Sequence, residues 1–430
     1  MRTSTYLADP RERSADTSPG LPDRIGACRH MTMPTEHLWN SDFDFRLSAR
    51  GQRHNHVLIR SIVAELSLHV AIGASPGDSV ISPRRLTEPF RAYWIDRGIS
   101  VPDITDRMRP EHRLHPFGWS REMMEQSRSY ANPRSHPPLE IIQRVNGRRF
   151  ARSVEQERLD FRYPGEVLTS LVDLAGFLER NPSTTGWMMK GEHGNAGLSN
   201  RRLRNPTLGP ADRRVATRLL KEDGRILIEP WFPREMDITG CFDLDTSGKL
   251  EGLTFHRVEN TSDGALLGIH LGPDPGIDPR WLSELGSVAR TLGSGLHQEG
   301  YFGPVCFDAF IVDSEEGSFL RPVSDINAHE SMSWPIRRFI MKLHPGCQAH
   351  WRFFNRQKLR LTGSLQGAIS KLGGDDFDPG LGEGILFTNP LESAGAEGVQ
   401  PHQKIGVLFM AESEDAIRRL EATFRDRFHK

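Results

Sequence analysis

The stretch Phe307–Asn327 reads FDAFIVDSEEGSFLRPVSDIN. An apolar run carries one acid, Asp308, and an acidic turn follows through Glu315, Glu316 and Gly317. A second run ends in Asp325 and Asn327, two positions apart. Side chains alternate across a strand, so residues two apart share a face. Paired as a hairpin, the two runs bring Asp308, Asp325 and Asn327 to one face. Three oxygen donors there suit Mg²⁺, which is commonly held by one or two carboxylates together with substrate phosphates. Asp and Asn are depleted in strands, which makes Asp325-Ile326-Asn327 unusual. The same residues also fit a surface hairpin with solvated carboxylates. A phosphate-binding element elsewhere in the chain would decide between the two.

Working upstream, Lys190 ends a short apolar strand, and glycines recur at Gly191, Gly194 and Gly197. Glycines let backbone N–H groups approach phosphate oxygens, and a lysine adds a point charge. No Gly-Lys-Ser/Thr follows, so this is not a P-loop. No helix clearly opens after it either, which argues against a dinucleotide fold. Between the two elements lies Ile226-Leu227-Ile228-Glu229-Pro230-Trp231, then Glu235 and Asp237. An apolar strand ending in an acid, a proline and aromatics can present groups to an adenine and a ribose, or be a solvated edge strand.

The order of these three elements, a lysine with a Gly-rich loop, an acidic strand end and a late Asp…Asp-x-Asn, resembles the ATP-grasp superfamily over about residues 146–327. The resemblance implies an α+β chain with the ATP-grasp fold, two α+β subdomains gripping ATP, behind an N-terminal pre-ATP-grasp α/β domain. It implies ATP and Mg²⁺ as cofactors. Lys190 and the loop residues His193, Gly194, Asn195 and Gly197 would hold phosphates. Glu229 and Trp231 would lie at the adenine, with Glu235 or Asp237 near the ribose. Asp308, Asp325 and Asn327 would be the metal ligands.

Three departures from the family pattern stand out. Arg148 or Arg149 occupies the place of an earlier phosphate lysine. The middle metal ligand, Asp325, is one methylene shorter than the usual Glu. Cys306 stands where ligases of the family carry an arginine, so Arg257 is expected to supply the catalytic anion contact. The implied activity is an ATP-dependent ligation of a carboxylate to an amine through an acyl phosphate. A small-molecule kinase and a nucleotide-binding protein without ligase activity remain as alternatives.

Composition sets the outer bounds. The chain has 430 residues with 55 basic and 56 acidic side chains, a formal charge of −1. That balance argues against a nucleic-acid binder, and no apolar run has the length of a membrane span. Four cysteines without a CxxC pair favour a reducing, cytoplasmic setting. His54 and His56 have no evident third partner for a metal. The partners expected are small-molecule carboxylates and amines, and the oligomeric state is open.

Residues 1–38 are expected to be disordered. Residues 39–137 read as the pre-ATP-grasp-like domain, 138–335 as the ATP-grasp domain and 336–430 as a C-terminal α/β extension. Expected strands are 69–73, 139–145, 187–189, 225–231, 237–244, 249–255, 385–387 and 405–409. Expected helices are 83–98, 150–159, 166–180, 210–222, a long one opened by Asp278-Pro279, 337–343, 365–371 and a final one capped by Ser413.

Overall fold

Gly303–Val312 pairs antiparallel with Phe319–Asn327, and Asp308 stands directly opposite Asp325, with Cys306 opposite Asn327. Gly317 turns the hairpin at a φ of 112°, a conformation that disfavours any residue with a Cβ. This pair forms one edge of an eight-stranded antiparallel sheet. The order continues through Arg234–Leu244, Leu250–Asn260, Leu266–Leu271, Gln348–Asn355, Lys404–Ala411 and Gly384–Phe387. The computed structural model describes residues 33–48, 57–194, 199–261, 266–344, 346–361 and 364–428.

Among the described residues two further four-stranded sheets precede this one in sequence, and a three-stranded one joins Arg85–Leu86, Glu392–Gly395 and Gly398–Pro401. Asp103–Thr105, Ser79–Ile81, Thr35–Leu38 and Arg113–Pro116 lie parallel in that order, as an α/β domain requires. Glu166–Leu168, Ile226–Pro230, Trp187–Lys190 and Asn200–Leu203 form a small antiparallel sheet. Its helices, Leu171–Arg180 and Pro210–Asp223, close a core of their own around Phe177, Trp187, Met189, Leu219 and Ile228. Ser170 caps the first of these helices through the Asp173 N–H, and Gly224 ends the second in the left-handed region. The helix Pro279–Gln298 buries Leu285, Leu292 and Leu296 in the main core. Two α+β units, one small and one built on the large sheet, follow an N-terminal α/β layer.

Several expected elements differ. Leu139–Val145 is a helix and His69–Gly73 a buried 3₁₀ turn, not strands; short apolar runs do not distinguish the two by period. Pro89 sits at the start of the helix Glu88–Ile95, so the expected helix 83–98 begins after the strand Arg85–Leu86. Glu166–Leu168 pairs with Ile226–Pro230 before its helix starts. The N-terminal boundary at 38 is also displaced, because Thr35–Leu38 is a central strand of the parallel sheet. The expected C-terminal α/β extension 336–430 supplies three strands that continue the large sheet. The remainder of the expected disordered N-terminus, Cys28, and His54 with His56 lie outside the described residues.

Candidate functional site

Strand register alone puts Asp308, Asp325 and Asn327 on one face, and the neighbouring strands extend it. Thr239 faces Asp308 on one side and His256 on the other. The Asn327 amide Nδ2 donates to Asp308 Oδ2 at 3.3 Å, which leaves its own carbonyl oxygen free to face a cation. Burial, with the charges of Asp325 and Asp237 added, pushes the Asp308 carboxyl up to about 6. Two carboxylates and an amide oxygen are hard donors, and their donor set fits Mg²⁺.

Two cations reach this face from other elements. Arg148 opens the helix Arg148–Ser153 after Gly147, and it is buried at 4% exposure. Its Nη2 donates to Asp325 Oδ2 at 3.2 Å and its Nη1 to the Gly191 carbonyl at 2.8 Å. A Cβ on Gly194 would lie 2.8 Å from that Nη1, so the glycine is what lets the guanidinium lie against the loop. Arg148 Nε is buried without a hydrogen-bond partner, as a group waiting for an anion would be. Lys190 sits at the end of its strand, with Nζ 2.6 Å from Glu229 Oε1 and 3.3 Å from the Ser324 carbonyl. Ser324 lies in the stretch where the register shifts between Asp308 and Phe310.

Glu229 is buried in a network rather than presented at a strand end. Arg321 grips it through Nη1 and Nη2 at 3.0 and 2.8 Å, and grips Glu155 through Nε and Nη2 at 3.1 and 3.2 Å. Tyr163 Oη accepts from the same guanidinium. Burial works to raise the Glu229 pKa, but Arg321 and Lys190 outweigh it and hold the carboxyl well below its ordinary range. Glu155 shares only Arg321, and burial leaves it raised. Burial also lowers Lys190 against the pull of Glu229.

The other expected residues are placed as follows. His193 Nε2 meets the Gln143 carbonyl at 3.0 Å and its Nδ1 lies 3.9 Å from Asp223, so the side chain anchors the base of the loop. Asn195 and Gly197 lie outside the described residues. Trp231 follows Glu229 with its ring under the Arg202 guanidinium, 4.1 Å from the centroid. Glu235 is exposed and accepts from Ser318 at 2.6 Å, beside the hairpin end rather than the acid cluster. Asp237 pairs with Arg234 at 2.7 Å and shares the face of Asp308. Arg149 pairs with Glu192 at 3.2 Å, so Arg148 is the one that reaches the face.

Arg257 is a correction. Thr239 pairs with His256 and Ile238 with Arg257, so Arg257 points to the opposite face from Asp308. A bulge between Cys241 and Asp243 shifts the hairpin by one residue, and such a slip moves every later side chain to the other face. Arg257 binds Glu414 at 2.7 Å and His270 at 3.1 Å. A third cation on the site face is Arg337, from the helix Trp334–Leu343. Its Nη1 donates to Thr254 Oγ1 at 3.1 Å, and its charge acts on His256, Cys241 and Cys306. Its Nε is buried and unpartnered. Arg321, Glu155 and Arg337 were not marked by the sequence patterns. A lone arginine within the apolar run Phe319–Val323 was the available signal for the first, since a buried charge needs counter-charges.

No family model and no curated protein sequence matches the chain. Solved structures do. Phosphoribosylamine–glycine ligase from Thermotoga maritima matches with a TM-score of 0.55 at 11% identity, covering 92% of this chain and 97% of that chain. The biotin carboxylase domain of 2-oxoglutarate carboxylase from Hydrogenobacter thermophilus, in complex with MgADP and bicarbonate, gives 0.54 at 11% identity, covering 93% and 91%. N5-carboxyaminoimidazole synthetase from Staphylococcus aureus, complexed with ADP, gives 0.53 at 10% identity, covering 91% and 97%. The chain has the ATP-grasp fold, with its two α+β subdomains. Among the described residues no helix is long and apolar enough to cross a membrane.

Proposed function

We propose that this protein is an ATP-dependent ligase that joins a small-molecule carboxylate to an amine, using Mg-ATP. The observation that carries the reading is the meeting of Asp308, Asp325 and Asn327 on one sheet face, with Arg148 bonded to Asp325 and Lys190 held beside it. The similarity to solved structures that bind ADP or MgADP supports it.

In this reading Asp308, Asp325 and the Asn327 carbonyl oxygen hold the metal. Mg²⁺ supplies charge neutralisation across the transferred phosphates when bound. Arg148 and Lys190 bind phosphate oxygens, and Gly194 leaves the backbone open to them. Glu229 keeps Lys190 protonated and fixed. Trp231 and the backbone around it flank the base. Arg337, with His256, orients the carboxylate substrate. The substrate oxygen attacks the terminal phosphorus, releasing ADP, and the amine then displaces phosphate from the acyl phosphate. Positioning and charge do the chemistry, so no protein nucleophile is required.

The test is a metabolite screen for ADP release with mass-spectrometric identification of products. Release that needs both an acid and an amine is expected. A phosphorylated product without an amine would make the protein a kinase instead. Unchanged Mg-ATP affinity in both Lys190→Ala and Asp325→Ala would overturn the site itself.

A further inference from the structure

The large sheet carries a second polar cluster on the face opposite Asp308. His270 and His350 stand directly across from each other on adjacent strands, and Glu259 lies beside them on the next strand. The two imidazoles are stacked, with centroids 3.8 Å apart and planes at 15°. Glu259 Oε1 is 3.1 Å from His270 Nε2 and 3.8 Å from His350 Nε2. One ligand atom from each of the three lies within 4.8 Å of the other two. A tetrahedral zinc with bonds of about 2.0–2.1 Å sets its ligand atoms about 3.3 Å apart. The two Glu259 separations bracket that value, and because the stacked rings aim their in-plane lone pairs nearly parallel, His270 has to turn about its Cβ–Cγ bond, away from His350, for both Nε2 atoms to meet one ion.

Three details point to an ion rather than a closed hydrogen-bond network. His350 is 1% exposed, and its Nε2 has no hydrogen-bond partner although it aims into the cluster. Its Nδ1 is bonded to Glu421 Oε1. That carboxylate fixes the Nδ1–H tautomer and leaves the Nε2 lone pair as a donor, as the outer carboxylate of a metal-bound histidine does. Arg352 Nη1 takes the second oxygen of both acids, Glu259 Oε2 at 3.2 Å and Glu421 Oε2 at 3.3 Å, which turns each Oε1 toward the rings. Finally, Gly268 keeps the space before His350 Nε2 clear; a Cβ there would lie 2.7 Å from it.

We propose that Glu259, His270 and His350 bind a divalent transition metal of the zinc type, with Glu421 orienting His350 and one coordination position left open. Two imidazoles and a carboxylate favour zinc over Mg²⁺. Arg257 is the competitor. Its Nη2 lies 3.1 Å from His270 Nδ1 and 3.4 Å from Nε2, and 2.7 Å from Glu414 Oε1. Metal binding transfers the His270 proton from Nε2 to Nδ1, and Arg257 then rests on Glu414 alone. This site stands independently of the Mg-ATP reading.

The experiment is titration of chelator-treated full-length protein with Zn²⁺ against a chromophoric competitor, and with Co²⁺ followed by visible absorption. One ion per chain is expected, with the intense bands of a four-coordinate cobalt. His270→Ala and His350→Gln should weaken binding about 100-fold or more, and Glu421→Gln by about 10–100-fold. Arg257→Ala should tighten it. Asp308→Asn with Asp325→Asn should leave it unchanged. Zinc affinity that survives both histidine changes, or that falls only in the Asp308/Asp325 double variant, would overturn the assignment. Equal or weaker binding in Arg257→Ala would count against the ligand set.

Discussion

The strand Phe319–Asn327 carries two clusters that treat charge in opposite ways. At Arg321 every charge is answered: Glu155, Glu229 and Lys190 close a neutral set, each 4% exposed or less. Four residues on, Asp325 shares its face with Asp308 and Asp237, and burial beside those two charges pushes the Asp308 carboxyl up to about 6. The first arrangement suits a joint between subdomains, because Glu155 and Arg321 tie the large sheet to Glu229 and Lys190 of the small one. The second suits a site that expects a cation from outside. A satisfied buried network fixes geometry, whereas an under-neutralised face stores affinity.

The comparison breaks most visibly at Arg321. Arg321→Met leaves two buried acids with one lysine and should cost about 3–5 kcal/mol in urea unfolding, or prevent soluble expression. A loss under about 1 kcal/mol would mean that the network is not structural. Asp325→Asn should do the reverse: Mg²⁺-dependent ATP affinity falls by at least about tenfold, equal to about 1.4 kcal/mol, while unfolding changes by less than that. Isothermal titration and urea curves on the same sample separate the two effects.

Asp308→Asn sharpens the contrast further. Its folded pKa is raised, so ionisation works against folding, a cost fully present above about pH 6. The variant should therefore be more stable than the parent at pH 8, by up to about 3 kcal/mol. The gain should fade as the pH drops through 6 toward 4, where both forms are neutral. A variant less stable at pH 8 would contradict the environment described here. The smallest effect is expected at Arg257: Arg257→Ala should change ADP affinity less than about twofold, whereas Arg337→Ala should weaken use of the carboxylate substrate without altering ADP binding.

Much of the candidate site's geometry could be read along the chain, because its acids and amide lie on two strands joined by a short turn. Asp308, Asp325 and Asn327 needed only the period of two and a glycine at the turn. Lys190 and Gly194 needed only a strand end. What escaped was set by register and by distance. The bulge at Cys241/Asp243 turned Arg257 away, and no composition rule announces one extra residue in a ladder. Glu155 meets Arg321 across 166 positions, through a helix whose rotation depends on packing. Leu139–Val145 carries apolar residues that serve a strand or a helix equally, and tertiary contacts chose the helix.

The way the last strands join the large sheet has a practical consequence for dissecting the molecule. Gln348–Asn355 takes up the backbone groups of Leu266–Leu271, and Lys404–Ala411 takes up those of Gln348–Asn355. A fragment ending near residue 335 would leave Leu266–Leu271 as an open edge, a template for pairing with other chains. Such a fragment would retain Lys190, Asp308 and Asp325 yet aggregate. A folded piece of this protein that keeps Lys190, Asp308 and Asp325 together therefore has to run through Ala411.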